Sequence, residues 1–223
     1  MGINITIITV VLNQVERLEE TIKSVLAQDR ADLDYIIVDG ASTDGTTELV
    51  EKFSGRLKCW ISEEDKGVYD AMNKGWGLAD PESWILFLGA GDRLISLPEK
   101  LPPIGGREII YGDVSLHNDQ VFYSSANFKL KLFNTLHHQA LLIPKWLHPQ
   151  PPFNLEYDHY ADFDFNQRLY KERVAFHYNS QLRSYASPGG LTENLVLDEL
   201  NRVVYKNFGF FWARISVFGF LIA

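Results

Sequence analysis

The sequence predicts an α/β fold: a mostly parallel central sheet flanked by helices. Three observations carry this. Up to Asp92, runs with strand character alternate with runs of helical periodicity, the pattern of a parallel sheet with helical crossovers. The strand-like runs are apolar throughout, as suits strands covered on both faces. A chain of 223 residues that is 46% hydrophobic and 13% aromatic can bury a substantial core in one large domain.

The elements follow in order. Asn4–Leu12 is apolar and β-branched, a buried first strand. From Gln14 to Gln28 the residues Val15, Leu18, Ile22, Val25 and Leu26 recur at helical spacing. Asp34–Asp39 is a second strand that ends in a carboxylate, and Asp44 is placed to cap a helix running to Phe53. Leu57–Ile61 reads as a third strand, Ser62–Lys66 as a polar loop, and Gly67–Leu78 as a helix. Trp84–Leu88 is a fourth strand, closed by Gly89, Ala90, Gly91 and Asp92. Beyond residue 95 the pattern loosens. Glu108–Tyr111 and Val121–Ser124 are strand candidates that pair, Ala140–Ile143 is another, and Val174–Tyr178 a fourth. Ala161–Tyr170 and Thr192–Asn207 have helical periodicity.

The net charge of −8 argues against a nucleic-acid partner, whose footprint is basic. A single cysteine, Cys59, excludes an intramolecular disulfide and any cysteine-based zinc site. The N-terminus lacks a basic segment followed by an apolar core, so no signal peptide is expected. The C-terminal stretch from Phe208 to Ala223 is apolar and aromatic but falls short of the roughly 20 residues that span a bilayer. Phe208, Phe211, Trp212, Ile215 and Phe218 fall at helical spacing. Both a packed helix and an interfacial helix in peripheral membrane contact fit that pattern.

Chemistry gathers at the strand ends. Ligands of open α/β sheets collect outside the carboxyl ends of the strands, so Asp39, Asp65 and Asp92 line one crevice. Carboxylates there suit Mg²⁺ or Mn²⁺, or accept hydrogen bonds from a base and a ribose. Asp also favours turns and caps, which accounts for any one of them alone. No Walker P-loop, dinucleotide glycine fingerprint or serine elbow is present.

Four segments resemble one family. Ile-Ile-Thr-Val-Val-Leu-Asn (7–13), Val-Asp-Gly-Ala-Ser-Thr-Asp-Gly-Thr (38–46), Ser-Glu-Glu-Asp-Lys-Gly-Val-Tyr-Asp-Ala-Met-Asn-Lys-Gly (62–75) and Phe-Leu-Gly-Ala-Gly-Asp (87–92) are similar to family 2 glycosyltransferases of the GT-A fold. The flavour is that of bacterial exopolysaccharide enzymes of the colanic-acid type. The resemblance implies inverting transfer of a sugar from a nucleoside-diphosphate donor of UDP or GDP type. The acceptor is a saccharide or lipid-linked saccharide. It also implies a single GT-A domain over 1–223, with a nucleotide-sugar half (1–95), an acceptor half (96–207) and an apolar C-terminal helix (208–223). The expected location is cytoplasmic, extending to the inner face of the cell membrane.

Residue by residue, the resemblance implies that Asp39 reads the nucleobase and that the backbone near Thr9 and Val11 lines the nucleotide pocket. Asp65 falls beside the nucleoside or ribose. Apart from the resemblance, Lys66, Lys74 and Arg93 offer charge to phosphate, although a lone lysine is more often simply solvated. Asp92 matches the last Asp of the family's D-x-D and is the expected ligand of Mg²⁺ or Mn²⁺. The first Asp of that motif is Ala90 here, so the metal would rely on diphosphate and water for its other ligands. Asp162, in the segment 160–168, matches the general base, with Asp164 second; both also suit a helix start. His138 matches a residue of the substrate pocket, and His137 is expected to be structural. Ser187–Thr192 reads as a loop able to close over the donor or as a plain turn. A nucleotidyltransferase and a non-catalytic sugar-nucleotide-binding protein are the alternatives to a glycosyltransferase.

Overall fold

The computed structural model describes residues 4–117, 119–188 and 196–222. The proposed loop from residue 189 to Thr192, and the expected first turn of the last helix, lie outside them. Within the described residues the chain runs β1 (Asn4–Val11), α1 (Val15–Leu26), β2 (Leu33–Asp39), α2 (Thr46–Phe53), β3 (Cys59–Ser62), α3 (Val68–Leu78) and β4 (Ser83–Gly89). It continues through β5 (Arg93–Ser96), β6 (Glu108–Leu116), β7 (Val121–Phe122), β8 (Leu141–Pro144), α4 (Ala161–Lys171), β9 (Ala175–Ala186), α5 (Leu197–Phe208) and α6 (Phe210–Ile222).

The strands form one sheet in the order β3-β2-β1-β4-β8-β6-β9-β5, with β7 paired to β6. The expected parallel part spans β3-β2-β1-β4 and returns at β6-β9, whereas β8, β5 and β7 pair antiparallel. In β1 the alternation of a pleated strand sends Ile8 and Val10 to one face and Ile5, Ile7 and Val11 to the other. The first face is covered by α3, α4 and α5, through Trp76, Phe165 and Val203. The second is covered by α1 and α2, through Leu18, Ile22 and Val50. Each such side chain, fully buried, contributes about 1.5–3 kcal/mol, which is why the apolar runs end up central.

Two departures from the sequence expectation shape the site. β5 was not expected, because Arg93–Ser96 buries only Leu94 fully. β9 runs on through Asn179, Ser180 and Gln181 to Ala186 because backbone pairing resumes beyond its polar middle: Ala175–Tyr178 pair with β6, and Arg183–Ala186 pair with β6 again and with β5. That extension carries the chain to Ser187, beside the end of β4.

Candidate active site

One side of the candidate site is built from the ends of β1, β2 and β4. β1 lies between the other two, with Val11 opposite Asp39 and Val10 opposite Gly89, so the two strand ends are about 10 Å apart at the backbone. The sheet edge is sealed by Gly40 N–H donating to the Val11 carbonyl and Ala90 N–H to that of Val10. The Asp39 carboxylate is fully buried and accepts from Ser42 N–H at 3.0 Å and from the Ser62 hydroxyl at 2.6 Å. Its other oxygen has no hydrogen-bond partner among the described residues. Such an unmet buried acceptor costs about 1–3 kcal/mol, a cost that a ligand N–H would offset.

Asp65 joins Asp39 at this corner. One of its oxygens accepts Gly67 N–H at 2.8 Å, at the entry to α3. The other sits where a Cβ on residue 40 would stand, 2.4 Å away, so Gly40 leaves room for that carboxylate. Leu12, 51% exposed and in contact range of the same point, is an apolar surface at the rim that the sequence reading missed.

Asp92 closes a turn whose third residue, Gly91, has φ 99, a value that favours glycine. A Cβ at Gly91 would also meet the Ser187 hydroxyl at 2.7 Å. The Asp92 carboxylate is buried, accepting Gly89 N–H at 2.7 Å and Ser187 N–H at 2.9 Å. It therefore ties the end of β4 to the end of β9. Each of its oxygens keeps a further lone pair. Among the described residues no three His, Cys, Asp or Glu side chains converge to hold a metal. The residues present fit a divalent ion that takes one carboxylate and draws its other ligands from diphosphate and water. They do not fit a metal centre built by the protein.

The other side centres on Asp162, in the first turn of α4 and 5% exposed. One oxygen accepts from Phe163 N–H at 2.7 Å and faces the Tyr69 hydroxyl at 3.0 Å. The Tyr69 proton is shared between that oxygen and the His159 carbonyl at 2.9 Å. The other oxygen lies 3.2 Å from the Asn134 amide nitrogen and 3.5 Å from His138 Nδ1. Burial pushes the Asp162 carboxyl up, but pairing with His138, the Tyr69 hydroxyl and the Phe163 N–H together outweigh it. The group is held below the ordinary aspartate range. Burial and the adjacent carboxylate push the Tyr69 phenol well above its ordinary value, so it stays a donor.

A buried clamp fixes where Asp162 points. Glu199, on α5, accepts from three consecutive backbone N–H groups, those of Asp158, His159 and Tyr160, at 3.2, 2.7 and 2.8 Å. The Tyr160 hydroxyl accepts Val196 N–H at 3.3 Å. Asp164 faces elsewhere: it takes Arg168 Nε and the Asn207 amide, each at 2.9 Å, and joins α4 to α5.

The two sides meet at the His137–Gln139 segment. His137 is packed edge-on against Phe122 and bonded to Gln139 at 3.1 Å, in keeping with a structural role. It lies within electrostatic reach of both Asp162 and Asp92; burial, then the neighbouring His138, lowers its pKa. Other sequence candidates are not drawn in. Thr9 is fully buried in mid-strand, its backbone flanked by β2 and β4 and its hydroxyl 3.0 Å from that of Tyr35, so only Val11 reaches the rim. Lys66 is exposed, and its backbone N–H donates to Asp70 at 3.0 Å. Tyr69 and Asn134 complete the Asp162 cluster without a spacing signal, since they lie 93 and 28 residues from it.

An α/β sheet with carboxylates on its strand ends, and a buried carboxylate at the mouth of a later helix, is the arrangement of a GT-A glycosyltransferase. The comparisons agree. Residues 6–99 match the model of glycosyl transferase family 2. A PGL/p-HBAD biosynthesis glycosyltransferase of Mycobacterium tuberculosis (strain ATCC 25177 / H37Ra) is 33% identical over 205 residues, 86% of this chain and 80% of that one. Staphylococcus aureus TarS 1-349, solved in complex with UDP-GlcNAc, superposes with TM-score 0.67 at 15% identity, over 90% of this chain and 64% of that one. The mannosyltransferase PcManGT from Pyrobaculum calidifontis, in complex with GDP-Man and Mn²⁺, gives 0.60 at 14% identity, over 98% of this chain and 64% of that one. These two likenesses are of fold. The chain belongs to glycosyl transferase family 2 and is a glycosyltransferase.

Proposed function

We propose that this glycosyltransferase moves a sugar, with inversion, from a nucleoside-diphosphate donor to an acceptor hydroxyl in the assembly of a bacterial surface glycoconjugate. The observation that carries the mechanism is the buried Asp162 carboxylate, kept ionised by His138, the Tyr69 hydroxyl and the Phe163 N–H. Asp162 takes the proton of the acceptor hydroxyl as its oxygen attacks the anomeric carbon. The bond from that carbon to the diphosphate breaks on the opposite side. One base suffices, because inversion needs no enzyme nucleophile.

In this reading Asp39 and Asp65 receive the nucleoside at the corner around Gly40, with Leu12 beneath it. Asp92, together with the diphosphate, would hold Mg²⁺ or Mn²⁺, which would supply charge neutralisation for the departing diphosphate. Residues 1–95 serve the donor and residues 96–207 a saccharide or lipid-linked acceptor, at the cytoplasmic side of a membrane. Support comes from the relatives named above: one acts in PGL/p-HBAD biosynthesis, one structure holds UDP-GlcNAc, and another holds GDP-Man with Mn²⁺.

Asp162→Asn tests it. Release of nucleoside diphosphate should fall by about 10²–10⁴-fold, while the thermal shift produced by the preferred UDP- or GDP-sugar persists. Unchanged turnover would remove Asp162 as the base. A chain that no nucleotide sugar stabilises, with or without Mn²⁺, would remove the donor reading.

A further inference from the structure

The surface farthest from explanation lies on α6. Its 13 residues rise about 20 Å, short of the roughly 30 Å hydrocarbon layer. Among the described residues no helix is long and apolar enough to cross a membrane. α6 packs on the segment before the active-site loop through Ala213 and Ser216, whose hydroxyl donates to the Leu132 carbonyl at 2.6 Å. The opposite face carries Phe211, Arg214, Ile215 and Phe218, spaced as one helical stripe, with Phe210 beside them. Phe210, Phe211 and Phe218 are 64%, 67% and 65% exposed, far more than a packed helix face allows.

Beside this stripe lies a groove of about 540 Å³ lined by Lys131, Lys171 and Arg173 over Tyr170, Phe176 and Phe208. No carboxylate lines it; the adjacent Glu172 pairs with Arg107 at 3.6 Å. Lys131 joins groove and helix, its ammonium 5.6 Å from the Phe208 ring and 4.8 Å from that of Trp212. After Glu199 the sequence holds Arg202, Lys206 and Arg214 and no carboxylate, in a chain of net charge −8. The C-terminal segment of an acidic protein thus carries exposed aromatic rings and cations with no carboxylate of its own, Lys206 being paired to Glu156 at 3.4 Å.

We propose that this face docks the enzyme on an anionic phospholipid bilayer. The groove cations take headgroup phosphates, and Phe210, Phe211 and Phe218 enter the boundary between headgroups and acyl chains. Anionic surfaces attract each nearby Lys or Arg, and buried aromatic area supplies the rest. A second copy of the chain would bring the same cations against one another, so the charge pattern favours lipid. The proposal is independent of the transfer chemistry.

Flotation with phosphatidylcholine vesicles containing phosphatidylglycerol, and with phosphatidylcholine alone, tests it on the full chain. Binding should require the anionic lipid and weaken with salt. Lys171→Gln with Arg173→Gly should lower affinity by roughly tenfold or more; the glycine also suits the φ of 58 at that position. Phe211→Ser with Phe218→Ser should lower it comparably, with thermal unfolding unchanged because both side chains are exposed. Quenching of tryptophan fluorescence by bromine-labelled lipid should disappear in Trp212→Phe. Equal capture by uncharged vesicles, or variants that float like the parent, would overturn the proposal. So would a dimer that the phenylalanine pair dissolves in analytical ultracentrifugation while flotation is unaffected.

Discussion

The carboxylates of the donor rim and the carboxylate at the head of α4 are held in different ways. Asp39, Asp65 and Asp92 each accept a backbone N–H from within three residues, those of Ser42, Gly67 and Gly89. They are fixed chiefly by turns at strand ends, so their placement is largely local. Asp162 has one local partner, Phe163 N–H, and otherwise depends on Tyr69 of α3 and on Asn134 and His138 of the loop before β8. Its aim is set further by Glu199 of α5. The strand-end carboxylates therefore rest on local turns, with one long-range tie each for Asp39 (Ser62) and Asp92 (Ser187), whereas Asp162 sits in one network in which distant changes are felt.

The largest expected effect follows from that contrast. Glu199→Ala leaves three backbone N–H groups, one buried and two part-buried, without their acceptor, some 40 residues from the mutated position in sequence. Each unmet donor costs about 1–3 kcal/mol, and with partial entry of water the total should be about 3–5 kcal/mol. Urea unfolding measures it, and turnover of the folded fraction should fall too as Asp162 loses its aim. A variant within about 1 kcal/mol of the parent would mean that the loop before α4 holds itself, and the contrast would fail.

Asp92→Ala probes the local side and should cost less, about 1–3 kcal/mol, through two backbone N–H groups left unpaired. The same change removes the one carboxylate offered to a divalent ion. Mn²⁺ should then no longer increase the thermal shift produced by the donor, while some donor binding at Asp39 and Asp65 remains. Persistent Mn²⁺ dependence in this variant would place the ion on other residues.

The same division explains what could be read from the sequence. β1 through β4 were legible because each is a short strand-like run bounded by local turn signals, β2 and β4 closing in Asp39 and Asp92, and the motifs at 38–46 and 62–75 record local turns. β5 and the far half of β9 were not, because Ile95 is 45% exposed and the polar Asn179–Gln181 interrupts β9: the ladder of Arg183–Ala186 with β6 and β5, not a sequence pattern, makes them strands. Asp162 was found by resemblance to a helix-start segment. Its partners Tyr69 and Asn134 have no spacing rule that links them to it, and the role of Glu199 depends on α5 crossing the start of α4. Thr9 was assigned to the rim because a motif does not say how far along its strand the sheet edge lies; the ladder with β2 and β4 puts it inside.

The smallest expected effect is a movement in pH rather than a loss. The Asp162 carboxyl is subject to burial, which raises its pKa, and to the His138 pairing, the Tyr69 hydroxyl and the Phe163 N–H, which lower it further than burial raises it. A folded-state value below the ordinary one of about 4 means that the base is ionised throughout the neutral range. The acid limb of turnover then lies below the ordinary aspartate range. By linkage, the same lowering contributes stability that is present above the unfolded value and is lost as pH falls through the folded one. His138→Asn removes the largest of the lowering partners and leaves burial opposed only by Tyr69 and a backbone N–H. The acid limb of the turnover profile should therefore shift to higher pH, with activity near neutrality partly retained because Asp162 is still ionised there. A limb that stays put would show that the lowering rests on the Tyr69 hydroxyl and the Phe163 N–H instead.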